Sequence, residues 1–436
     1  MMRYAKALVM IIGMLLMATA VYGQTGELMT EASTGGFFGL GARAMGMGGA
    51  HIAAVMDGSA LIYNPAALAR IRRIELLTSI SHQNLENRAD PDLMGSALAN
   101  FNSRSQNNTR LNGINLAIPY PTYRGSLVLA FGLNRINSFD KTFRIGYSEM
   151  VPEPPAIIKG TESESGSLYA LSGGAGIDLS PKISLGGSLN FYFGTDDYNW
   201  LFSSDIPGEG ELIYNDNIKD TYSAVSAKFG LLLAPSRIVK LGATVETPVI
   251  YNIEEDYILR IKERGRAGFD TEIGYYEYDL VKPFSIGSGV AVNLNYLQLV
   301  ADINYIDWTQ LEYKDDPALE GENIFIQDYY RQVLGFSIGG ELLIPRVGAK
   351  FRAGYRYDPL PYKDIEFPGM VTENTSGIDI LNERDFITFG FGYLIDRIMT
   401  IDIAFVLGGY EIRDNSNSVI EEYDLNRIYI STGFRL

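Results

Sequence analysis

From about Ile74 to Leu436, apolar and polar positions alternate with a period of two, as in strands with one dry face and one wet face. In the stretch 111–120, Ile114, Leu116, Ile118 and Tyr120 share a face. Pro121-Thr122-Tyr123-Arg124 then turns the chain, and Leu127, Leu129, Phe131 and Leu133 alternate on the way back. The rhythm predicts fourteen strands, near 74–82, 111–120, 125–137, 167–179, 183–195, 219–234, 238–262, 271–292, 297–311, 328–344, 347–358, 383–395, 398–410 and 423–436. Their connections sort into two kinds. Tight turns fall at Ser180-Pro181-Lys182, Pro235-Ser236-Arg237, Asn293-Leu294-Asn295, Pro345-Arg346 and Asp396-Arg397. Long polar loops are expected near 83–110, 138–166, 196–218, 263–270, 312–327, 359–382 and 411–422. An even strand count, with short turns at one end and long loops at the other, predicts a transmembrane antiparallel β-barrel. A soluble sandwich has no reason to sort its connections, and 238–262 and 271–292 are too long for one.

Charge follows the same parity. Lys228, Lys240, Glu246, Asp302, Glu341, Lys350, Arg352, Arg356, Asp402 and Arg435 all fall opposite the apolar face of their strands. A Lys or Arg facing lipid at mid-bilayer costs about 2–4 kcal/mol, so a membrane wall sorts its charges this way. A water-soluble barrel with its apolar face inward alternates equally well. Loop asymmetry and the chain's beginning favour the membrane version.

That beginning has three parts. Arg3 and Lys6 precede an apolar run from Ala7 to Ala20, and Val21-Tyr22-Gly23 closes it, the pattern of an export signal cut before Gln24. Residues 1–23 therefore read as signal peptide, 24–72 as a separate segment and 73–436 as barrel. Within the middle part, 39–68 is rich in small residues and keeps neither period. Glycine permits close backbone approach, and Asn64 before Pro65 is held out of the helical region, which makes a turn. Such a segment joined to a barrel suits a plug folded inside it.

Gly41-Ala42-Arg43-Ala44-Met45-Gly46-Met47-Gly48-Gly49-Ala50, then Asp57-Gly58-Ser59-Ala60, then Asn64-Pro65-Ala66, resembles the N-terminal hatch of FadL-type outer-membrane transporters, including the TodX branch. The hatch motif rests on Gly46, Gly48, Gly49, Asn64, Pro65 and Ala66. The resemblance implies a hatch in the barrel lumen and passive uptake of long-chain fatty acids or aromatic hydrocarbons. It further implies capture by apolar groups at the outer loops, a lumenal pocket, and sideways release at a kinked third strand. Gly125 and Gly132 are the candidates for that kink. Phe37, Phe38, Leu61 and Tyr63 are candidate ligand contacts, or packing of the plug. Lys350, Arg352 and Arg356 are candidate partners of a ligand carboxylate, or partners of Glu341 and the plug. A sister group with a similar opening serves protein secretion, so a secretion accessory barrel stays open, as does a general porin.

Composition narrows the chemistry. The 436 residues include no cysteine, which excludes disulfides, thiolate metal sites and lipoprotein acylation. A formal net charge of −16 argues against nucleic acid as a partner. The two histidines, His51 and His82, have no ligand spacing, so no metal or cofactor is expected. Gly39 to Gly49 lacks the strand and βαβ unit of a dinucleotide site, and no P-loop, GxSxG or HExxH occurs. His82 near Ser79 and Ser81 is the sole sequence-local lure for hydrolase chemistry, and an enzyme is not expected. Acidic runs such as Glu254-Glu255-Asp256 read as solvated loops, or as sites sharing divalent ions with lipopolysaccharide. The expected surroundings are outer-membrane lipid and lipopolysaccharide, with a hydrophobic small molecule as ligand and the chain as a monomer.

Overall fold

The computed structural model describes residues 39–91, 104–123, 125–149, 156–315, 317–366, 377–396, 398–415 and 419–436. The export signal and the candidates Phe37 and Phe38 lie outside these residues. β1 (Glu75–Pro91) and β2 (Arg104–Tyr120) form the first hairpin, and β3 (Leu127–Ser138) runs on into β4 (Lys141–Glu149) before β5 (Ala156–Ser180) returns. β6 (Ile183–Ile206) and β7 (Gly210–Leu233) make a long hairpin. β8 (Val239–Glu246) and β9 (Val249–Lys262) continue one another, as do β10 (Asp270–Lys282) and β11 (Ser285–Leu294). β12 (Leu297–Asp307), the short β13 (Glu312–Lys314), β14 (Gln332–Ile344), β15 (Ala349–Tyr357), the short β16 (Ile365–Glu366), β17 (Gly377–Ile395), β18 (Met399–Asp414) and β19 (Val419–Arg435) complete the wall. β1 pairs with β19 from Glu75↔Arg435 to Pro91↔Val419, which closes a fourteen-stranded antiparallel barrel.

The strand count holds, and several boundaries move. The expected loop 196–218 is the upper part of the β6–β7 hairpin, paired from Asp196↔Asp220 out to Ile206↔Gly210. The expected loop 138–166 is occupied by β4 and the first half of β5. Both faces of these extensions carry polar groups, so alternation fades while the backbone ladder persists. Asn199, Asn215 and Asn217, for instance, bond to one another there. The expected loop 312–327 contains a helix, α3 below, with Glu320 and Glu322 in its first turn, where negative charge suits the helix dipole. The predicted strands 238–262 and 271–292 are each broken, at Pro248 and Pro283, which have no N–H for the ladder. Val249↔Lys282 and Glu246↔Ser285 are paired on either side of the breaks, so two neighbouring strands bend at one height.

Apolar side chains point out of the barrel. Leu189 is 66% exposed and Val225 62%, and Phe229, Leu334, Ile338, Phe389 and Phe405 belong to the same belt. The charged parity faces in: Asp302 is 3% exposed and Arg352 4%. This settles the alternative left by the sequence, because a water-soluble barrel would have to be inverted. Among the described residues no helix is long and apolar enough to cross a membrane.

Residues 39–72 pack against the inward face of the wall. They form α1 (Ala42–Met45), α2 (Ala60–Tyr63) and a 3-10 turn (Pro65–Arg70), and nearly every side chain from Leu40 to Leu68 is buried or half-buried. The remaining helix, α3 (Glu320–Tyr329), covers an aromatic cluster at the loop end.

Candidate functional site

The first part of the site is the contact between the packed segment and the wall. Gly48 has φ +68°, and its N–H donates to Thr388 Oγ1 at 2.8 Å. A Cβ there would lie 2.5 Å from the Tyr355 carbonyl oxygen, so both its conformation and its space require glycine. Asn64 does three things. Its Oδ1 accepts from Ala66 N–H at 3.1 Å, and its Nδ2 donates to the carbonyls of Ile52 at 2.9 Å and Leu231 at 3.2 Å. Pro65 then starts the 3-10 turn. The wall accommodates this turn with its own glycine: a Cβ on Gly186 would stand 2.3 Å from Pro65. Such inward-facing wall glycines were missed in the sequence, although glycine on the charged parity of a strand is the signal that marks them.

Charge ties the two parts together. Arg43 Nε meets Glu341 Oε2 at 3.0 Å, and its Nη2 donates to Gln298 Oε1 at 3.1 Å. Lys350 Nζ and Arg352 Nε reach the same carboxylate at 3.2 and 2.7 Å, and Arg352 Nη1 continues to Asp402 at 2.7 Å. Arg356 pairs with Asp358 at 3.1 Å. The three cations proposed for a ligand carboxylate are therefore held by carboxylates of the protein. Leu61 is fully buried in a cluster with Ala66 and Leu68, and the Tyr63 hydroxyl donates to the Leu40 carbonyl at 3.1 Å, so both serve packing of the segment. Asp302 Oδ2 accepts from the backbone N–H groups of His51 and Ile52 at 2.5 and 2.8 Å. The His51 ring stands edge-on to Tyr63, and neither of its nitrogens has a hydrogen-bond partner. Burial, then the nearby Arg43 guanidinium, hold its pKa down to about 3. His82 binds Thr109 at 2.8 Å, while Ser79 accepts from Ser431 at 2.9 Å.

The second part is a buried aromatic cluster between α2 and the loop end. Tyr192, Tyr222, Tyr251, Leu280, Trp308 and Tyr313 belong to one buried cluster, with Ile326 of α3 above them. Its floor touches the packed segment: Lys228 Nζ donates to the Ile62 carbonyl at 2.8 Å and pairs with Glu246, which accepts from the Tyr192 hydroxyl at 2.7 Å.

The third part is a seam in the wall. β2 and β3 pair from Tyr120↔Leu127 up to Gly113↔Asn134. Beyond that rung, among the described residues, β2 pairs with β1 alone and β3 with β5 alone. A register shift flanks the seam on each side, one opposite Ser79/Ile80 and one between Arg135 and Asn137. An extra residue bends a strand and ends its pairing. Below the seam, Asn115 and Asn134 exchange side-chain hydrogen bonds of 2.7 and 3.0 Å. Gly132 makes room for them, since a Cβ there would lie 2.0 Å from Asn115 Oδ1. Gly125, in contrast, sits in the turn before β3, with φ +76°, and cannot kink that strand. Side chains bridge the gap: Arg110 pairs with Asp140 at 2.8 Å, and Thr142 donates to Gln106 at 3.1 Å. Asn112 donates to the Gly39 carbonyl at 2.9 Å, so the packed segment is tied to β2 at the seam. Phe139, just past β3, stacks on Tyr222 at 5.5 Å, so the aromatic cluster adjoins it too.

A closed antiparallel barrel with an apolar belt, a charged interior, a packed N-terminal segment and a side seam has the architecture of a transmembrane β-barrel protein. Solved structures with this fold include a Pseudomonas aeruginosa FadL homologue, at TM-score 0.62 and 13% identity over 92% of this chain and 100% of that one. The Pseudomonas putida toluene transporter TodX matches at TM-score 0.61 and 14% identity, covering 93% and 100%. The Ralstonia pickettii toluene transporter TbuX matches at 0.57 and 13%, covering 92% and 99%. No family profile and no curated protein matches the sequence.

Proposed function

We propose that the chain is an outer-membrane barrel for passive uptake of hydrophobic compounds, with residues 39–72 as the hatch in its lumen. The turns then face the periplasm and the extended hairpins face outward. A hydrophobic compound enters at the loop end, rests against the aromatic cluster, and leaves sideways into the bilayer through the seam between β2 and β3. The observation that carries this reading is the end of β2–β3 pairing at Gly113↔Asn134, next to both the hatch and the aromatic cluster. A straight water-filled path would leave the hatch in the way, whereas a side exit lets the hatch stay docked.

The aromatic cluster suits ligands with a large apolar body, long-chain fatty acids and aromatic hydrocarbons among them. Tyrosine and tryptophan offer broad apolar contact, with hydroxyls already committed at points such as Tyr192–Glu246. The experiment is two-fold. Protein reconstituted in vesicles should accelerate entry of a labelled aromatic hydrocarbon, and the same protein in planar bilayers should give no steady ion conductance. Open-channel conductance without hydrocarbon uptake would favour a general porin and overturn the reading.

A further inference from the structure

We propose that the outer half of the aromatic cluster is a binding site for a hydrophobic organic cation, an amine or quaternary ammonium on an aryl or alkyl body. The proposal rests on the uptake reading and narrows its ligand class. Asp196 is paired in register with Asp220, and Asp220 with Glu255, which sets three acidic side chains in one row across β6, β7 and β9. Asp196 and Asp220 are 3% and 2% exposed. Like charges directly opposite one another on neighbouring strands repel, and a buried charge without a partner is strongly destabilising. Yet Asp220 Oδ1, and Oδ1 of Asp216 on the same strand face, are buried with no hydrogen-bond donor among the described residues. Tyr222 donates to the other oxygen of Asp220 at 3.1 Å, and Tyr278 reaches Glu255 at 3.5 Å. The Lys141 ammonium pairs with Glu162 and Glu164 at 3.1 and 3.2 Å.

Two further observations say what kind of charge the row suits. Among the described residues no three acidic or imidazole side chains converge closely enough to hold a metal ion, so the acids suit a larger and more diffuse cation. The cluster also already holds an ammonium on an aromatic face: Lys282 Nζ lies 5.8 Å from the Trp308 ring centroid. Tyr222, Tyr278 and Tyr313 stand around the acidic row, with the Tyr278 and Tyr313 rings 5.6 Å apart. The Tyr330 hydroxyl, 4% exposed in that cluster, has no hydrogen-bond partner among the described residues. Aromatic faces with carboxylates among them are the chemistry that recognises organic cations, and the same row repels a ligand carboxylate.

The test uses the full chain in detergent and three probes of matched body: 4-phenylbutylamine, 4-phenylbutyrate and butylbenzene. Binding is read by tryptophan fluorescence. The amine should bind about ten-fold or more tightly than the acid, a difference of about 1.4 kcal/mol. Asp220→Asn with Glu255→Gln should bring amine and acid to within about two-fold of one another. The single change Asp216→Asn, nearer the loop end, should shift the ratio the same way and guards against a double variant that fails to fold. Equal or tighter binding of the acid overturns the proposal, as does a preference that survives the substitutions, or tight binding of magnesium alone that displaces the amine. Butylbenzene binding as well as the amine removes the cation preference and leaves the uptake reading intact. Failure of all three probes removes both.

Discussion

The Arg43 guanidinium of the N-terminal segment and the Glu341 carboxylate of β14 meet at 3.0 Å, and Glu341 is at the same time the partner of Lys350 and Arg352. One wall carboxylate therefore anchors the segment and neutralises two wall cations. Glu341→Gln leaves three cations facing each other with one acid, Asp402, in reach of Arg352. Removing one partner of a buried pair is worth about 3–5 kcal/mol. The expected result is a lower unfolding midpoint, read by heat-dependent gel mobility, and faster proteolysis within 39–72. Arg43→Met should reproduce the proteolysis with a smaller fall in barrel stability.

His51 gives the segment a pH dependence. Its folded pKa, near 3, lies below the ordinary imidazole value of about 6.5. The unfolded state therefore takes up the proton first. Stability is full above about 6.5 and declines as pH falls toward about 3, by at most roughly 1.4 kcal/mol per unit. His51→Phe should flatten that part of the profile. Hydrogen exchange of the Asp302-bonded amides of His51 and Ile52 across this range is the measurement. Equal slopes in wild type and variant would contradict the assignment.

Gly48 and Gly186 should tolerate no side chain. Gly48→Val combines a strained φ with a backbone contact at Tyr355 and should destabilise by about 2 kcal/mol or more. Gly186→Val drives into Pro65 and should expel the turn that Asn64 holds. Increased antibiotic permeability of cells carrying either variant would report the loosened segment. Gly268→Ala, in open space at a loop tip but also at positive φ, should alter stability with no such leak.

Orientation is checked by charge. Phe229 is exposed on the belt, and Phe229→Arg should destabilise by about 2–4 kcal/mol in lipid, judged by folding yield into vesicles. The control Thr221→Arg, higher on the same outward face of β7, should have little effect.

The sequence discloses what repeats and hides what is local. Strand number was legible because lipid contact enforces strict alternation at positions such as Leu185, Leu189 and Phe191. It failed above the belt, where Asn199 and Asn217 satisfy one another and no face need be apolar. The facing of Lys350 and Arg352 was legible from parity, whereas the role of Glu341 as anchor for Arg43 depends on a contact between distant parts of the chain. The seam left no pattern at all. It arises where pairing stops after Gly113 and Asn134, between two register shifts, and no residue type announces either. The Pro248 and Pro283 breaks were visible as letters, but their alignment emerges only once β9 and β10 are in register.

A reversible staple across the seam tests the central claim most directly. The chain has no cysteine, so Gln106→Cys with Thr142→Cys gives two unique thiols at positions whose native side chains touch at 3.1 Å. A short disulfide-containing bifunctional linker should abolish uptake of a labelled aromatic hydrocarbon into vesicles, and reduction of the linker should restore it. Undiminished uptake through the stapled protein would show that the compound leaves by another path.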